Sequence, residues 1–93
     1  MRIHSEKEVQ GVLSALLDLV RENCGVSQRL AEFLWAAHCG SGSLDFSLFS
    51  SLDQRNLNRV KMILNYRLHP AAGGYNLPLS ADEEEFLYRL TVA

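Results

Sequence analysis

The chain has 93 residues, 47% of them hydrophobic and 22% charged, and a net charge of −2. That length holds one domain with a small core, and the acidic balance argues against an electrostatic sponge for nucleic acid or anionic membrane. No run approaches the ~18 apolar residues of a membrane span, no signal-peptide core follows Met1, and two cysteines are too few for a disulfide framework, so a cytoplasmic protein is expected.

Helical periodicity dominates from the start. Apolar residues recur at Val9, Val12, Leu13, Leu16, Leu17 and Val20, the spacing of one buried helix face. Ser5 and Glu8 have capping-box spacing, and Asn23-Cys24-Gly25 offers a glycine for a left-handed stop, so the pattern predicts a helix over about 6–23. Ser27 suits the N-cap of a second helix through Leu30, Phe33, Leu34 and Ala37 to about His38. Its apolar residues wrap nearly the whole cylinder, which puts it at the centre of the core or partly against another chain. Gly40-Ser41-Gly42-Ser43 ends it in a short loop.

Leu44 to Leu52 reads two ways. Asp45-Phe46-Ser47-Leu48 alternates like a strand, whereas Phe46 with Phe49 and Leu48 with Leu52 fit a helical turn capped by Asp45. A lone strand would leave its backbone groups unpaired, so a short helix is predicted. Asp53 opens the next long helix, with Ser51 and Gln54 as an alternative capping box, and Leu57, Val60, Ile63, Leu64 and Leu68 form its stripe up to Pro70. A loop over 69–79 follows, with Tyr75 and Leu77 as anchors. Ser80 and Glu83 box the start of a final helix, where Asp82 to Glu85 suit the positive end of the macrodipole and Phe86, Leu87 and Leu90 form the packing face. The expected fold is all-α, a single domain over 1–93 with four longer helices and one short one.

Little here suggests catalysis or a metal. The cysteines lie 15 positions apart, and His38 and Cys39 are neighbours that diverge by about 100° on a helix, so neither forms a local ligand pair for zinc. Cys24 and Cys39 sit at helix C-termini, where the dipole disfavours a thiolate. Four consecutive acids fan around a helix rather than converge, and Gly40 and Gly42 lack the rest of a phosphate loop. The expectation is a non-enzyme with no cofactor, no metal, no catalytic residues and no small-molecule substrate.

Two binding readings remain. The helix from Asp53 to His69 carries Arg55, Arg59, Lys61 and Arg67 against one acid, and Gln54, Asn56, Asn58 and Asn65 have the chemistry to read base edges. With the short helix before it, this could be a helix-turn-helix, although a solvated helix face explains the same residues. The preferred reading is a protein surface centred on Trp35, Leu19, Met62 and Tyr66, because these, with Val26 and Tyr88 also off the main stripes, are more apolar side chains than one small core can easily absorb. A homodimer would fit, the basic helix and the acidic run Asp82–Glu85 pairing across a two-fold axis.

Gly25 with Ser27-Gln28-Arg29-Leu30-Ala31-Glu32-Phe33-Leu34, then Gly42, Leu44-Asp45-Phe46-Ser47-Leu48-Phe49, and His69-Pro70 before Gly74-Tyr75, resembles a family of small helical proteins of unknown function. Its members are carried by bacterial integrative and conjugative elements. The resemblance spans about 13–90 and departs at Trp35–His38, where the family is more aromatic, and at Asp82–Glu85. It implies an accessory protein of a mobile element that binds and modulates or inhibits a host protein complex, as anti-CRISPR proteins do. It assigns no functional residue.

Overall fold

The computed structural model describes residues 6–23, 25–40, 46–68 and 77–92. Among them are five helices and no strand: α1 (Glu6–Arg21), α2 (Ser27–Cys39), α3 (Ser47–Ser51), α4 (Gln54–Leu68) and α5 (Ala81–Thr91). The all-α architecture with one short helix is the one the periodicity predicts. None of these helices is long and apolar enough to cross a membrane.

Helix α2 is central, packing against α1, α4 and α5. Its Leu30, Ala31, Phe33 and Leu34 are buried together with Val9, Leu13, Leu16, Leu17 and Val20 of α1, Val60 and Ile63 of α4, and Leu87 of α5. Every long helix thus contributes its expected stripe to one core. The stripes end sooner than the periodicity suggests, with Leu68 70% exposed at the end of α4 and Leu90 half-exposed on α5.

Several helix ends differ from the expected chemistry. Asn23, not Gly25, takes the positive φ after α1; Asn tolerates that conformation because its side chain can bond locally. Ser27 is not an N-cap. Val26 holds that place without a side-chain cap, and Ser27 is buried in the first turn, its hydroxyl donating to the Leu19 carbonyl at the end of α1. The Ser51–Gln54 box is not used either. Asp53 caps α4 by accepting from the Asn56 amide at 2.9 Å, while the Ser51 hydroxyl donates back to the Ser47 carbonyl. At α5 the expected box forms completely, Ser80 accepting from the Glu83 amide and Glu83 from the Ser80 amide. The proposed roles of Ser5, Asp45, Pro70 and Tyr75 lie outside the described residues.

The C-terminus of α2 is closed from another helix. Gly40 has φ +80°, and its N–H returns to the Ala36 carbonyl. The next orphan carbonyl, Ala37, accepts from Nε of Arg67 on α4 at 2.7 Å, placing a guanidinium at the negative end of the α2 dipole. Glycine suits position 40 because its positive φ is one that side-chain-bearing residues rarely adopt, and a Cβ there would also push the end of the Arg67 side chain aside.

Candidate functional site

The α2–α5 seam

Helices α2 and α5 run antiparallel. Moving up α2, Gln28 donates to the Leu90 carbonyl at 3.0 Å, Trp35 meets Tyr88, and His38 meets Glu84, so partners descend α5 as positions ascend α2. The Trp35 and Tyr88 rings sit edge to face, with centroids 5.8 Å apart and planes at 69°. Such pairs contribute about 0.5–1.5 kcal/mol beyond their area burial. Trp35 is half-buried and also lies 5.8 Å from the His38 ring, whereas Tyr88 is 46% exposed. Val92, one turn beyond Tyr88 on the same stripe, is 55% exposed. The outer face of the seam is therefore a run of aromatic and aliphatic surface, rooted in the core through Trp35.

Beneath this surface lies a polar connection. His38 is buried, its Nδ1 accepts from the Leu77 N–H at 3.2 Å, and its Nε2 is 3.0 Å from a carboxylate oxygen of Glu84. An acceptor at Nδ1 puts the proton on Nε2, so the ring donates to Glu84 in that tautomer. One imidazole thus ties α2, the segment leading into α5, and the first turn of α5. Leu77 is buried, as expected of an anchor, and its backbone N–H also donates to His38.

The other expected surface residues are, like Trp35, half-buried. Leu19 and Tyr66 pack against the core from α1 and α4, and Met62 is half-buried on α4. The core absorbs more of the off-stripe residues than their number suggests. Of the four residues expected at a protein interface, Trp35 is the one with a ring contact to an exposed aromatic, Tyr88.

The basic helix

On α4, Arg55 and Lys61 are exposed, but three of the polar side chains suited to base edges, Gln54, Asn56 and Asn58, are engaged with their neighbours. Gln54 donates to Asn58 at 2.9 Å, and Arg59, half-buried, donates to Asn56 at 2.9 Å. Arg67 commits its Nε–H to closing α2. On the far side, Arg29 of α2 donates to the hydroxyls of Ser47 and Ser51 and holds α3 in place.

Among the described residues no three His, Cys, Asp or Glu side chains are grouped to hold a metal. Cys39 is a free, exposed thiol at the end of α2. No protein-family model matches the chain, and no curated protein or solved structure is detectably similar to it.

Proposed function

We propose that the chain is a non-enzymatic protein-binding module that docks through the α2–α5 seam and acts by occluding a surface of its partner. The observation that carries this reading is the Trp35–Tyr88 pair, continued by Val92, where a half-buried Trp backs the exposed side chains of Tyr88 and Val92. Aromatic side chains are enriched at the centres of protein interfaces because they bury much area at little entropic cost. A Trp held by the core is already ordered, so less freedom is lost when a partner covers it. The resemblance to mobile-element cargo adds a setting, in which the module works in the cytoplasm on a host protein complex and inhibits or redirects it. The helix-turn-helix alternative is less well supported, because Gln54, Asn56 and Asn58, three of its candidate base readers, are bonded along their own helix.

The test is affinity capture from a lysate of the cells that encode the protein, using three versions of it. Tyr88→Ala with Val92→Ser should remain folded by circular dichroism, since both positions are exposed, yet lose the captured partner. Arg55→Glu with Lys61→Glu should keep it. A partner lost with the α4 variant and retained with the seam variant would sink this reading and return attention to the basic helix.

A further inference from the structure

The charge around the seam is one-sided. Helices α2 and α5 carry five carboxylates, Glu32, Asp82, Glu83, Glu84 and Glu85, against two arginines, Arg29 and Arg89. Arg29 is turned away to the α3 hydroxyls, and Arg89 is already paired with Glu85 at 2.7 Å. Glu83 is used by the capping box, and Glu84 accepts from His38 while half its side chain stays in water. Exposed Glu32 lies one turn before Trp35 on the outer flank of α2, and exposed Glu85 lies one turn before Tyr88 on α5. Glu32 and Asp82 have no salt-bridge partner among the described residues. The bases of the chain collect elsewhere, with four on α4 and no acid between Gln54 and Leu68.

Resting on the seam as the docking face, we infer that its partner is a protein segment that is both apolar and basic, presenting leucine-like side chains to Trp35, Tyr88 and Val92 and lysine or arginine side chains to Glu32 and Glu85. Complementarity argues for this occupant. Glu32 is left unpaired among the described residues, and Glu85 has only an exposed i,i+4 contact with Arg89, a kind of pair worth little in water. An acidic segment would therefore meet more carboxylate than base at the rim, whereas cations there gain attraction and a faster encounter. A cation also fits the aromatic pair directly, because the faces of Trp and Tyr rings attract ammonium and guanidinium groups. Arg21 already makes such a contact in this fold, 4.8 Å over the Phe86 ring on α5.

Trp35 is the only tryptophan, so its fluorescence reports the seam alone. The probes are two synthetic amphipathic helical peptides with identical leucine positions, one bearing lysine and the other glutamate at the polar positions. The lysine peptide should shift Trp35 emission saturably, bind at least about tenfold more tightly than the glutamate peptide, and weaken as salt is raised. Glu32→Lys with Glu85→Lys should remove most of that preference, and Tyr88→Ala should weaken binding of the lysine peptide. Equal binding of both peptides would remove the charge selection and leave the seam as a docking face. Lysine-peptide binding unaffected by Tyr88→Ala would place it elsewhere and remove both. No response to either peptide would overturn the basic, apolar occupant, while the capture experiment would still decide the docking face. Concentration-dependent Trp35 shifts without any peptide would make a second copy the occupant and overturn it too.

Discussion

Leu34→Ala should lower the unfolding free energy by about 3 kcal/mol, within the range of roughly 2–5 kcal/mol for emptying a buried leucine site. Leu34 has no exposed surface and lies on the helix against which α1, α4 and α5 all pack, so a cavity there is lined by several elements. For a domain of this length each kcal/mol moves the midpoint by about 4–8 °C, which puts the loss at roughly 12–24 °C by thermal denaturation. Leu68→Ala is the matched control. It removes the same side chain from the same kind of periodic stripe, but at 70% exposure the change should stay within about 0.5 kcal/mol. Equal effects at the two sites would mean that α2 is not the centre of the core.

His38→Leu should cost about 1–3 kcal/mol even though leucine is the more hydrophobic residue. The substitution leaves the Leu77 N–H without its acceptor in a buried position, and an unsatisfied buried donor costs about 1–3 kcal/mol. It also releases Glu84, but that carboxylate is half in water and can be solvated there. Glu84→Gln should therefore be mild, because the amide oxygen can still accept from Nε2–H. Urea denaturation of the two variants separates the contributions. A His38→Leu protein as stable as wild type would mean that the imidazole does not hold the segment entering α5.

How much of this was legible from the chain follows from how far apart the interacting residues are. The Ser80–Glu83 box and the Asp53 cap are local, three positions wide, and both form as their spacing predicts. The buried stripes are legible for the same reason, since each needs only the period of its own helix. The His38–Leu77, His38–Glu84 and Arg67–Ala37 bonds join residues 39, 46 and 30 positions apart, and no local pattern announces them. Ser27 shows how a local rule is overridden: its hydroxyl suits a cap, but packing of α2 on α1 buries it and offers the Leu19 carbonyl instead. Trp35 was visible as an apolar residue off the main face. Its partner Tyr88 was visible only as another off-stripe residue, because the pairing depends on α5 lying antiparallel to α2. The charge of α4 was plain in the sequence, whereas the use of Arg67 as a helix cap was not.

The central claim is that the Trp35–Tyr88 seam is the surface a partner covers. Its most direct test is hydroxyl-radical footprinting of the free protein and of its complex with the captured partner. The expected result is protection at Trp35 and Tyr88, with Phe46 and Leu68, exposed on α3's flank and at the end of α4, labelled equally in both states. Protection that spares Trp35 and Tyr88 and falls instead on α4, at Met62 or Leu68, would contradict the account.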